Sequence, residues 1–173
     1  MAIIKPNNNT ISAITALPAA IATGDVLQVI TAVDTAHRST TSQSFVTASS
    51  SATINITPSA SNSKIYVACT GNFQCNDGND GWYATIYRGS TNLGNSTSGL
   101  IHGNSVPGVS ANYLACTMTI LDSPNTTSQV TYQLYVKNKN ADSDSSAVTN
   151  IGHTFEGTSN PTPTHITAFE IGA

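Results

Sequence analysis

The chain has 173 residues, a net charge of −3 and only 9% charged side chains, so a single domain is expected, burying roughly 70% of the unfolded surface. Ser, Thr and Asn fill 63 positions while Glu, Lys and Arg are scarce, which argues against a mainly helical protein. Six cations, Lys5, Arg38, Lys64, Arg88, Lys137 and Lys139, are scattered along the chain; they form no basic stripe to neutralise phosphates, and nucleic acid is discounted as a partner.

Residues 1–23 differ in pattern from the rest of the chain. Ile11, Ile14, Leu17 and Ile21 recur every three or four positions after the cap-like run Asn7, Asn8, Asn9 and Thr10. That spacing fits a short helix before Pro18, and the composition fits an extended arm equally well. Pro18 interrupts the apolar part and no basic leader precedes it, so a secretory signal is not expected. No segment reaches the ~20 apolar residues of a membrane span, and membrane insertion is not expected either. The segment is assigned as an N-terminal arm, residues 1–23, ahead of one β domain, residues 24–173. Both an assembly arm and an ordinary first strand remain open for it.

From Gly24 onward, period-two runs succeed one another: GDVLQVITAV from Gly24, SFVTA from Ser44, ATINIT from Ala52, KIYVACTGNF from Lys64 and WYATIYR from Trp82. They continue with NYLACTMTIL from Asn112, VTYQLYVKN from Val130, AVTNIGHTFE from Ala147 and HITAFEIGA from His165. Between them lie turn-rich pieces such as TPSASNS and KNKNADSDSS, whose Gly, Pro, Asn and Asp supply the backbone geometries of turns. Eight or nine short strands are expected. The fold class is all-β, an antiparallel β-sandwich, jelly-roll-like, with an N-terminal arm.

One stretch, QCNDGNDGWY from Gln74 to Tyr83, carries Asp77, Asn79 and Asp80 among two glycines. A calcium loop of the EF-hand type wants oxygens at positions 1, 3 and 5 and a Glu at 12. Counting from Asp77, position 5 is Gly81 and position 12 is Arg88, so the pattern fails. The preferred reading is a hairpin connection between KIYVACTGNFQC and WYATIYRG, since Asp-Gly pairs accept positive φ. An irregular cation site on Asp77 and Asp80 is the second reading. Within the following strand, Trp82, Ala84 and Ile86 alternate onto one face and are expected in the core.

Catalysis finds little support. His37, His102, His153 and His165 are isolated and show no zinc spacing, and His153 and Glu156 fall on opposite faces of a strand. No nucleophile elbow and no phosphate-binding glycine loop is present, so neither enzyme activity nor a cofactor is expected. Cys69 and Cys75 lie on one extended segment, ~20 Å apart at strand rise, beyond the ~7 Å reach of a disulfide. Cys116 alternates with Leu114, Met118 and Ile120 and is expected as a small core residue. Unpaired cysteines fit a reducing compartment. A secreted carbohydrate-binding module would call for a signal, paired cysteines or a solvent-facing aromatic strip, and the first two are not expected.

Several phrases together resemble small β-structured virion proteins of tailed bacteriophages infecting aquatic or cyanobacterial hosts. They are the opening MAIIKPNNNTISAITALPAAIATGDVLQVI, then INITPSASNSKIYVACTG, IYRGSTNLG and the terminal HITAFEIGA, spread from Met1 to Ala173. The resemblance implies a structural component of the particle, assembled in the host cytoplasm. It further implies a homotrimer, used as a capsid decoration (cement) protein on the major capsid protein or as a fibre-like appendage on another virion protein. It carries no functional residues with it. The residues themselves suggest where contacts fall: Ile11, Ile14, Leu17 and Ile21 toward the capsid, and Phe169 and Ile171 toward a neighbouring subunit. If a host-surface glycan is bound instead, the long connection 89–112, with Asn92, Asn95, His102 and Asn104, is the expected tip.

Overall fold

The computed structural model describes residues 24–76, 80–104, 112–139, 149–152 and 159–172. The arm with Ile11, Ile14, Leu17 and Ile21 lies outside the described residues, as do Asp77, His153 and Glu156. The described residues form twelve strands: β1 (Val26–Asp34), β2 (Arg38–Thr40), β3 (Val46–Thr47), β4 (Thr53–Ile56), β5 (Lys64–Cys75) and β6 (Gly81–Arg88) come first. β7 (Thr91–Asn92), β8 (Ile101–Asn104), β9 (Asn112–Asp122), β10 (Val130–Asn138), β11 (Thr149–Ile151) and β12 (Thr164–Ile171) complete them.

These strands fall into eight lanes. In sheet I, β9 runs along one side of β5 over its whole length, so β12 and β11 share the other side as successive pieces of one lane. β1 and β2 form the next lane outward. In sheet II, β10 has β6 on one side and β3 and β4 on the other, and β7 and β8 line the far side of β6. Numbered in chain order, the lanes read 1-8-3-6 in sheet I and 2-7-4-5 in sheet II, and every pairing is antiparallel. That order is the double Greek key of a jelly roll.

The two sheets bury a shared core because each strand alternates. On sheet I the inward rows are Ile30, Ala168, Val67 and Ile120, then Ala32, Ile166, Cys69 and Met118. Sheet II answers with Ile54, Ile56, Leu134, Val136, Ala84 and Ile86, all buried. Each such aliphatic side chain contributes about 1.5–3 kcal/mol by leaving water. Trp82 and Phe73 stack across the sandwich at 4.7 Å, and Gly103 is required beside them, since a Cβ there would meet the indole at 2.7 Å.

The inward row at one end is polar: Gln28, Glu170, Ile65 and Asp122. Glu170 is fully buried and held by neutral donors, Ser59 N (2.7 Å), Ser59 Oγ (2.6 Å) and Gln28 Nε2 (2.5 Å). Asp122 receives Arg88 Nη1 at 2.8 Å and the Tyr132 hydroxyl at 2.7 Å, which latches β9 of sheet I to β6 and β10 of sheet II. Burial pushes the Tyr132 hydroxyl pKa up, and the Asp122 carboxylate raises it further. Glu170 and Asp122 survive inside because neutral donors satisfy the first and Arg88 with Tyr132 the second.

Several expectations need correction. KIYVACTGNFQC and WYATIYRG do not form a hairpin: β5 lies in sheet I and β6 in sheet II. Both sides of β5 are already occupied by β9 and by the β12 and β11 lane, so β6 has no edge there to join. β5 and β6, on either side of that stretch, thus belong to different sheets. The connection after Gly89 is not structureless either, because β7 and β8 fold back along β6 and Asn95 bridges Gly99. Leu114 is 41% exposed and Cys116 only half-buried, since β9 is an edge lane whose inner side reaches the rim of the core. Trp82, Ala84 and Ile86 are buried as expected. Cys69 and Cys75 lie on the one strand β5 and are not joined in a disulfide.

Candidate interaction face

The outward side chains of sheet I line up in transverse rows. Register places Val29 beside Phe169, Phe169 beside Tyr66 and Tyr66 beside Leu121. One step along the strands comes a second row, Thr31, Thr167, Ala68 and Thr119, and then a third, Val33, His165, Thr70 and Thr117. The Thr31 and Thr167 hydroxyls lie 3.0 Å apart and those of Thr70 and Thr117 2.9 Å, so the threonines satisfy one another and present their methyl groups. Val29 (55%), Val33 (41%) and Leu121 (57%) are the exposed large apolar side chains of these rows. Tyr66 and Phe169 hold each other with ring centroids 6.0 Å apart.

Lys64 is the charged residue of this face among the described residues, and its Nζ is tied to Ser123 Oγ at 2.7 Å. The first row is apolar across four lanes and the two beside it are rich in threonine, so the described part of this face carries little charge. Phe169 and Ile171, expected toward a neighbour, stand on it: Ile166 and Ala168 point into the sandwich and Phe169 and Ile171 point out, half-buried. The partners Val29, Val33, Tyr66 and Leu121 were not anticipated. Their signal was present in VLQVITAV, which is apolar at both parities, the pattern of a strand covered on both sides.

The outward face of sheet II is different. Phe45 folds across it, 6.3 Å from Tyr87 and with Lys137 Nζ 4.8 Å above its ring. Beneath, Tyr87 and Tyr135 stack at 4.0 Å, and Thr85 is fully buried. The chain covers this face itself.

The four residues expected at a distal tip separate. Asn92 Oδ1 accepts from Thr85 Oγ1 (2.7 Å) and Gly94 N (2.9 Å), and Asn95 Oδ1 accepts from Thr97 N (2.8 Å) and Ser98 N (3.0 Å). Both amides hold the loop in shape. His102 and Asn104 are exposed on β8, the first beside Tyr83 and the second accepting Lys139 Nζ at 3.1 Å. Asp80 is buried with Oδ1 accepting from Gly81 N at 2.8 Å. Among the described residues, no three His, Cys, Asp or Glu side chains are grouped to hold a metal ion. Burial raises the Cys69 thiol pKa to about 12 and also raises that of Cys116, so neither is an activated nucleophile.

No protein-family model matches the chain and no curated protein does. Solved structures of infectious bursal disease virus are similar to it. The Gt strain structure is 14% identical with a TM-score of 0.44, covering 84% of this chain and 38% of that one. The T13 viral particle gives 12% identity and a TM-score of 0.44 over 86% of this chain and 38% of its own. The VP2 subviral particle gives 13% and 0.41 over 100% and 42%. The chain thus spans less than half the length of the chains it matches.

Proposed function

We propose that the protein is a non-enzymatic structural component of a virion, a homotrimeric capsid decoration protein that binds and stabilises a phage head. The observation that carries this reading is the outward face of sheet I, which among the described residues is uncovered and uncharged apart from Lys64, and is lined by Val29, Phe169, Tyr66 and Leu121. A protein used at high local copy number needs a polar, weakly charged exterior that resists non-specific attraction and an apolar strip reserved for its neighbours. This chain has both. The arm, with Ile11, Ile14, Leu17 and Ile21, is assigned to the major capsid protein, and Phe169 and Ile171 to the neighbouring subunit. The jelly roll agrees with this role without deciding it, because the same fold serves lectins as well as capsids.

Mixing the purified protein with capsids lacking it, followed by electron microscopy, tests the reading. Symmetric trimers on the capsid lattice are the expected result, and deletion of residues 1–22 is expected to abolish that binding while leaving the sandwich folded. Absence from the capsid, with density at the tail or adsorption to host cells, overturns decoration. It moves the function to a fibre-like appendage that binds a host-surface glycan through the exposed His102 and Asn104.

A further inference from the structure

Among the described residues, sheet I has two long edges with no strand beyond them. β1 is nine residues and β9 eleven, and each pairs with one neighbour among the described strands. Natural edges are blunted by Lys, Pro, bulges or brevity. From Val26 to Val33 and from Asn112 to Leu121 the sequence contains neither a charged residue nor a proline. β9 stays in continuous register along β5, and β1 has one irregularity, near Val26. The edges of sheet II are guarded in the ordinary way: each is split into pieces of two and four residues.

The direction of the two strands matters. β1, β12, β5 and β9 are joined by three antiparallel steps, so β1 and β9 run opposite to each other. A second copy moved sideways by one sheet width therefore brings its β1 beside β9 in antiparallel orientation. The three outward rows then continue without a break: Leu121 meets Val29 of the second copy, Thr119 meets Thr31 and Thr117 meets Val33. Apolar pairs and threonine pairs are both favourable across antiparallel strands, and no charge is buried in making them.

We propose that β9 of one copy adds to β1 of the next, so that sheet I continues from subunit to subunit. The occupant of both edges is a second copy of this chain. Because the contact joins two different edges, it is heterologous, and a closed ring uses every edge. This deepens the assembly part of the proposed function and rests on the same face, yet it stands if the partner particle is something other than a capsid.

The test exchanges charge across the contact. Thr31 and Thr119 are exposed on the outward face, so lysine or glutamate at either is compatible with the fold, and circular dichroism of each variant verifies this. By light scattering, the wild-type chain is expected at a multiple of its 17.9 kDa mass. The double variant Thr31→Lys with Thr119→Lys is expected to fall to the monomer mass. The double variant Thr31→Lys with Thr119→Glu is expected to recover the wild-type mass. A monomeric wild type overturns the proposal, as does an oligomer that survives paired lysines. Failure of the Lys and Glu pair to recover also overturns it, since a contact of β9 with β9 or β1 with β1 sets like charges against each other. Loss of capsid binding with these masses unchanged leaves the edge contact standing and removes only the decoration reading.

Discussion

Sheets I and II share one core but treat solvent in opposite ways. Sheet II folds Phe45 over Tyr87, Tyr135 and Lys137 and breaks each of its edges into short pieces. Sheet I leaves Val29, Val33 and Leu121 in water and keeps edges of nine and eleven residues. Among the described residues, the chain thus covers the outer face of one sheet and leaves that of the other in water. Apolar area alone does not reveal this, because both outer faces carry aromatic residues; what separates them is whether described residues fold back over them.

The most drastic way to break the comparison is to remove what both sheets stand on. Trp82→Ala takes away the ring stacked on Phe73 and leaves a cavity, with an expected loss of about 3–5 kcal/mol; urea unfolding should show one cooperative transition moved to lower denaturant. Acid separates the sheets more finely. Burial by itself raises the pKa of Glu170, but hydrogen bonds from Ser59 and Gln28 outweigh it and hold the value at about 2. The folded value is depressed below the unfolded one. Its contribution is therefore complete above about pH 4.5 and lost as pH falls toward 2, about 3 kcal/mol in all. Glu170→Gln should flatten that acid-side slope in thermal melts, and hydrogen exchange should place the acid loosening of the native chain at β1 and β12.

Phe45→Ala sharpens the contrast by uncovering sheet II. Its ring is partly exposed, so the expected cost is about 2 kcal/mol, read as a lower urea midpoint, with oligomer mass unchanged. Phe169→Asp makes the reverse change on sheet I. Because the ring is half-buried against Tyr66, monomer stability should fall by about 1–2 kcal/mol, leaving the chain folded, while light scattering should show dissociation. An unchanged oligomer would remove Phe169 from the subunit contact.

Much of this was legible from alternation. The runs beginning at Gly24, Ala52, Lys64, Trp82, Asn112, Val130 and His165 each contain one strand of the sandwich. β2, β7 and β8 escaped because two to four residues are too few to show a period, and IHGN has a glycine where a β-branched residue would give the signal. The hairpin reading of Asn76 to Gly81 failed for a different reason. Asp-Gly pairs report that the backbone must turn, which is local, whereas the choice of sheet depends on Asn112–Asp122 and Thr164–Ile171 occupying both sides of β5. Phe169 and Ile171 were visible because HITAFEI is apolar at both parities. Their companions Tyr66 and Leu121 were not, since a row across four lanes joins residues as far apart in sequence as Val29 and Phe169.

The lane order has a consequence for synthesis. Every described strand of sheet II lies between Val46 and Asn138, so that sheet can form before Thr164–Ile171 has been made. Sheet I cannot: β12 inserts between β1 and β5, and until Thr164–Ile171 has emerged, β1 has no partner in its sheet. Such long-range closure is slow, and strands that wait are exposed to wrong pairing. The apolar row from Val29 to Leu121 exists only after that last insertion. The proposed contact between copies is therefore open only to chains in which β12 is already in place.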